Sequence, residues 1–247
     1  MKTALSIAAA ALLLSGAAGA AEIKVLSTQA TEEAYKELVP QFEKASGQKV
    51  TTVFTGTLDA LKRLGNGEAY DLLIMARQQI DELSQSGKVV GGSRTDIAKS
   101  GVGAAVGKGK PKPDISTVDA LKRSLLAAKS IGYSTGPSGI YVVTMFQKMG
   151  VADEIKSKLK QTPTGVFVGS IIASGEAEIG FQQVSELSFF PGVDYVGPIP
   201  AEVQLITVFS AGIPAGTKQA DAAKALVSFV TAPAAAAVFK KHALDPG

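Results

Sequence analysis

Gly132-Tyr-Ser-Thr-Gly-Pro-Ser-Gly-Ile-Tyr141 carries the end of a strand through small residues directly into a helical pattern. A strand that turns at once into a helix is the repeating unit of α/β folds. The first four amides of such a helix lack intrahelical acceptors, and the aligned peptide dipoles put about half a positive charge at that end. Small residues at the junction leave those amides open, so the stretch reads as a cradle for an oxyanion or carboxylate. Taken alone it is equally an ordinary capped helix start. Similar strand-to-helix openings recur at 27–31 and 55–57, and the recurrence points to the cradle.

Outward from this junction the same alternation continues. Upstream, 23–27 reads as a strand, and 32–44 places Ala34, Tyr35, Leu38, Val39 and Phe42 at helical spacing. A β-branched strand follows at 49–54, a helix at 58–64 stopped by Asn66-Gly67, and the apolar strand Leu72-Leu-Ile-Met75. A βαβαβ run implies a parallel sheet with right-handed crossovers. Next come a helix at 78–86, a strand at 101–106 and a Lys/Gly/Pro loop, after which the pattern restarts. Helices are expected at 118–128, 140–149 and 170–174, and strands at 130–133, 165–168 and 179–182. A long strand at 203–209 is able to return to the first half, and a helical tail at 220–241 restarts at Pro233. The fold expected is α/β, with a discontinuous first domain at 22–101 and 203–247 and a second domain inserted at 102–202. Ligands of open α/β sheets lie beyond the carboxyl ends of the strands, so two such domains would face each other across a hinged cleft.

The N-terminus reads separately. Met1-Lys2-Thr3, an apolar run at 4–14 and the small residues Ala18-Gly19-Ala20 form the pattern of a secretory leader over 1–21, leaving a mature chain of about 226 residues. The apolar run is shorter than the ~20 residues that a spanning helix needs, so an exported protein with no membrane insertion is expected. The chain contains no cysteine, which excludes disulfides, thiolate metal sites and cysteine nucleophiles. Formal net charge is +3, or +2 once Lys2 leaves with the leader. Lys108, Lys110 and Lys112 form the densest basic group and read as a solvated loop, so no nucleic-acid partner is expected. With one histidine, His242, in the tail, no Ser-His-Asp set, His-Glu-x-x-His metal motif or P-loop is present. No metal or cofactor is expected.

Val25-Leu-Ser-Thr-Gln-Ala-Thr31, Tyr70-Asp-Leu-Leu-Ile74, Pro137-Ser-Gly-Ile-Tyr141 with Met149-Gly150, and Gly175-Glu-Ala-Glu-Ile-Gly180 together resemble the periplasmic solute-binding proteins of ABC importers, molybdate-binding type. The resemblance runs over essentially the whole mature chain. It implies a type II periplasmic-binding-protein fold, a periplasmic monomer, and an inner-membrane ABC permease as partner. It also implies a cleft in which amides and hydroxyls hold a small anion. Mapped onto this chain, Ala30 stands where such proteins offer a first serine, and 55–57 keeps a hydroxyl region. Backbone amides are expected near Ser138 and near Gly165 or Val166. Gln183 replaces a tyrosine that closes the site, and Met75-Ala-Arg77 replaces Ser-Ala-Asp.

Losing two hydroxyls weakens the case for molybdate, and a guanidinium at Arg77 would suit a carboxylate through its bidentate fork. The expected ligand residues are Thr28, Thr31, Thr57, Arg77, Ser134, Ser138 and Gln183, and the expected ligand is an organic carboxylate in preference to an oxyanion. For Arg77 the alternative is an ion pair with Asp81, one helical turn on. The chain is also similar to periplasmic aconitate isomerases, which shift a double bond between trans and cis tricarboxylates without a cofactor. That chemistry needs a group to take a proton from carbon and return it. Glu186 and Glu32 are the candidates, against the plainer reading of Glu32 and Glu33 as first-turn charges with Thr31 as cap.

Overall fold

Residues 22–247 are described by the computed structural model, and the leader expected at 1–21 lies outside them. β1 (Glu22–Thr28), a 3₁₀ turn (Gln29–Thr31) and α1 (Glu32–Ser46) lead to β2 (Lys49–Thr55), α2 (Thr57–Gly65), β3 (Leu72–Ala76) and α3 (Arg77–Gln85). β4 (Thr95–Gly107), α4 (Val118–Ala127), β5 (Ile131–Tyr133), α5 (Pro137–Lys148), α6 (Ala152–Ile155) and β6 (Leu159–Gln161) come next. α7 (Val168–Ala173), β7 (Ile179–Gln183), α8 (Val184–Leu187), β8 (Val193–Pro198) and β9 (Ile206–Gly212) follow, and α9 (Ala220–Val230), α10 (Ala236–Lys241) and β10 (Asp245–Pro246) close the chain.

The strand order is β2-β1-β3-β9-β4-β7-β5-β6, with β8 and β10 also on β4. β1 pairs in parallel with β2 and β3, and β5 in parallel with β6 and β7, as βα alternation requires. All five residues of β3 are buried, because helices cover both faces of a central parallel strand. β4 belongs to both halves: Thr95 to Gly101 pair antiparallel with β9, and Val102 to Val106 pair with β7. Each half has its own core. One gathers Val25, Leu38, Phe42, Ile74, Leu226 and Phe239, and the other Val102, Leu121, Phe146 and Phe181. Each such side chain contributes about 1.5–3 kcal/mol on burial. Within β4 the pairing passes from one half to the other at 101–102, and the chain returns between β8 and β9. Gln204 splints the two crossings, its Oε1 accepting from Val102 N at 2.7 Å and Leu205 N at 2.9 Å, and its Nε2 donating to Val102 O at 2.9 Å.

Three expected elements differ in detail, and two strands, β6 and β8, are unexpected. The strand expected at 165–168 is a turn closed by Val166 N bonding Pro163 O at 3.1 Å, with Gly165 at φ 80°; that left-handed conformation cannot continue a ladder. β4 begins at Thr95 because it spans both halves. The returning strand begins at Ile206, after a 3₁₀ turn over Ala201–Val203. β6 and β8 are edge strands whose charged residues hide the period-2 signal.

Candidate functional site

The carboxyl ends of β1, β2, β5 and β7 converge between the two halves. They bring Thr28, Gln29 and Ala30 from β1 and its turn, Thr55 and Gly56 from β2, 134–137 from β5, Val166, and Gln182, Gln183 and Glu186 around a cavity of about 10 Å³. That is room for about one water molecule, so the halves lie in contact. Gln29 Nε2 donates to Gly165 O at 2.9 Å, and Ser185 Oγ donates to Ala30 O at 2.9 Å, both across the cleft.

The donors follow from local structure. α2 and α5 start at Gly56 and Gly136, and neither helix has a side-chain cap over its first amides. Pro137 at the first position of α5 fixes the helical φ there without spending an N–H. Thr28 Oγ1 accepts from Ala30 N at 3.4 Å and Ser134 Oγ from Gly136 N at 3.2 Å; a hydroxyl that accepts keeps its own proton to donate. Ser138 Oγ is buried without a partner beside Pro137. Of the cavity-lining residues, none is Lys, Arg or His.

Of the expected ligand residues, Thr28, Ser134 and Gln183 line this cavity, and Ser138 adjoins it. Thr31 and Thr57 are buried but stand behind the wall. The Thr31 hydroxyl donates to Thr28 O at 3.3 Å, and the cap passes from Thr31 to Thr28 because a 3₁₀ turn precedes α1. The Gln183 carboxamide sits between the Thr207 hydroxyl, at 3.0 Å, and the Ser100 and Gly101 carbonyls, at 3.0 and 3.1 Å. Nitrogen toward the carbonyls and oxygen toward Thr207 is the orientation that satisfies all three.

Arg77 is set apart from these residues. Its guanidinium pairs with Asp96, which also accepts from Ser210 Oγ at 2.7 Å, and it lines a separate groove of about 430 Å³ with Ile140, Tyr141 and Ile206. Asp81, the alternative partner expected for Arg77, pairs with Arg94 at 2.9 Å. Asp96 is reached from the next strand, which local spacing could not foresee.

Glu32 does not line the cleft; it pairs with Lys36 at 2.6 Å, and Glu33 with the same lysine at 3.2 Å, as first-turn charges. His242 Nε2 lies 2.8 Å from Glu37 Oε2 in the tail. Glu186 does line the cleft. It is partly buried, and loss of hydration pushes its carboxyl up to about 8 despite hydrogen bonds from the Gln183 N–H and the Gln182 side chain. It also borders a second cavity of about 500 Å³, walled by Ala34, Phe167, Phe189 and Phe190. Gln182 Oε1 accepts from Val168 N at 2.7 Å, tying β7 to α7. Sequence reading missed Gln29 and Ser185 as cleft residues, since their partners lie 136 and 155 positions away.

Residues 23–244 match the family model of the bacterial extracellular solute-binding proteins. The chain is 34% identical over 230 residues to an aconitate isomerase from a Pseudomonas species, covering 91% of this chain and 87% of that one. It is 30% identical over 252 residues to the molybdate-binding protein ModA of Azotobacter vinelandii, covering 96% and 95%. The solved periplasmic molybdate-binding protein of A. vinelandii superposes with a TM-score of 0.76 at 20% identity, over 91% of this chain and 99% of that one. The chain therefore belongs to the bacterial extracellular solute-binding protein family, and its fold is that of periplasmic binding proteins.

Proposed function

We propose that this member of the bacterial extracellular solute-binding proteins captures a small anion between its two halves and delivers it to an inner-membrane ABC importer. The observation that carries the reading is the convergence on one cleft of the uncapped starts of α2 and α5 with the hydroxyls of Thr28 and Ser134. Donors of this kind favour negative charge without a lysine or arginine. The lobes are 22–101 with 203–247, and 102–202. They part to admit the solute and close on it, which strengthens each hydrogen bond as water leaves. Ser138 contributes its unpartnered hydroxyl, while Thr31 acts through the Thr28 carbonyl that its hydroxyl holds. An organic carboxylate fits better than molybdate, because Ala30 and Gln183 offer no hydroxyl. The protein works in the periplasm as a monomer, after removal of the leader at 1–21.

A thermal-shift screen against molybdate, tungstate, sulfate and a set of di- and tricarboxylates tests this. A ligand of the native state raises the melting temperature with concentration, by about 2.7 kcal/mol of added stability at a hundredfold excess over Kd. A carboxylate hit is expected; no shift with any anion would overturn the reading.

A second reading is favoured by one residue. Glu186 is the only titratable side chain that lines the cavity among the described residues. A carboxylate whose conjugate acid is raised to about 8 is a stronger base than an ordinary glutamate, which suits removal and return of a carbon-bound proton. The relative named aconitate isomerase supports the same chemistry here: an isomerase of trans- and cis-aconitate with Glu186 as the proton carrier. Proton NMR of trans-aconitate incubated with the purified protein decides it. Conversion that Glu186→Gln abolishes supports the isomerase, and no conversion removes it.

A further inference from the structure

We propose that anion capture is coupled to one proton held on Glu186: the cleft closes on its ligand only with this carboxyl neutral, so each anion is bound together with a proton. The inference rests on the reading of the cleft as an anion site. Glu186 stands in the wall of the small cavity, where the bound anion would lie against it. Two negative charges sharing a site from which water is excluded repel strongly, and one of them must take up a proton.

The neighbours leave the carboxyl without a compensating cation. Glu32, at the start of α1, is a like charge that raises it further. Glu33, Lys241 and His242 face the second cavity from α1 and the tail. Both Lys241 Nζ and His242 Nε2 lie 2.8 Å from Glu37, which engages them. From β8, Tyr195 packs beside Gly103, as does Val184, two residues before Glu186, and burial pushes the Tyr195 phenol up to about 12. No cation faces Glu186 from β7, whose Gln182 and Gln183 offer neutral donors. The raised carboxyl is what this surrounding produces. In its neutral form Glu186 gains an O–H that can donate to a ligand oxygen, supplying a hydroxyl donor that Ala30 and Gln183 do not. The second cavity of about 500 Å³ borders the same side chain, giving water a route by which the proton exchanges.

The test is calorimetric titration of the full mature protein with trans-aconitate and, in parallel, molybdate from pH 6 to 9.5, in buffers of different ionisation enthalpy. The expected result is affinity that falls by up to tenfold per pH unit above about pH 8, uptake of up to one proton per anion, and a flat profile in Glu186→Gln. A pH-independent wild-type affinity, or the same slope in Glu186→Gln, overturns the inference. Carbon-13 labelling of glutamate reads the group directly, with the variant assigning the signal. A carboxylic-acid resonance for Glu186 in the complex at pH 8 supports the proposal, and a carboxylate resonance overturns it. If neither probe binds, the function proposed above fails for those anions. The Glu186 resonance of the free protein at pH 7 then decides the proton site by itself, a carboxylic acid upholding it and a carboxylate removing it.

Discussion

A guanidinium is worth to an anion site only what its nearest carboxylate leaves over. Arg77 stands at the end of β3, where the sequence invites a carboxylate clamp, yet its fork is engaged by Asp96 and its side chain lines a separate groove beside α5 and not the small cavity. Arg94 shares the same carboxylate, with its Nη1 at 2.9 Å. The three charges form a partly exposed network, and such pairs contribute about 0–1 kcal/mol each. Arg77→Ala is therefore expected to leave anion affinity within about threefold of wild type, and to lower the melting temperature by no more than ~4 °C. Isothermal titration with any anion found in the thermal-shift screen checks the first and calorimetry the second. A tenfold loss of affinity at unchanged stability would instead make Arg77 a ligand contact.

At the scale of the element, the cleft depends on how tightly α5 is held against β5. A Cβ on Gly139 would stand 1.8 Å from the Ser134 carbonyl oxygen and 2.5 Å from its carbon, both backbone atoms. The helix start can approach Ser134 this closely only with glycine at that position. Gly139→Ala must push the opening of α5 away from the strand, at a cost of at least ~2 kcal/mol. A fall in melting temperature of ~4–8 °C is expected, together with loss of anion binding, although Gly139 does not line the cavity. Wild-type affinity in this variant would show that the α5 opening is not part of the site. The same element shows what the sequence discloses. Pro137-Ser-Gly139 announces a helix start by local chemistry alone, and so do the junctions at Thr28 and Gly56; the three junctions lie at the cleft as their spacing indicates. The apolar runs of β3 and β7 likewise mark buried strands. Contacts made at long range stay hidden: Asp96 for Arg77, Thr207 for Gln183, Ala30 for Ser185. Each joins residues brought together only by the crossings of β4 and β9, and no periodicity encodes them. Residues 165–168 misread as a strand for the converse reason, since the β-branched Val166 and Val168 outweigh the turn chemistry of Pro163 and Gly165.

For the whole molecule, the hinge closure proposed above makes the balance between parted and closed halves set the affinity. Away from the crossings, where Gln183 and Gln204 also join the halves, side-chain hydrogen bonds span the cleft from Gln29 to Gly165 and from Ser185 to Ala30, each at 2.9 Å. Both are made in the closed arrangement and are lost when the halves part. Each contributes about 0.5–1.5 kcal/mol, so together they shift the equilibrium toward closure by roughly tenfold or more. A ligand that binds the closed form gains affinity in proportion to the population of that form. The double variant Gln29→Ala, Ser185→Ala is therefore expected to weaken anion binding by about tenfold, and to raise the radius of gyration of the ligand-free protein in X-ray scattering. The melting temperature should move little, because neither bond belongs to the core of either half. Scattering separates this from direct contact with ligand, which matters for Gln29 because it also lines the cavity. If affinity falls while the ligand-free scattering curve is unchanged, Gln29 acts on the anion itself and the two bonds are not a latch.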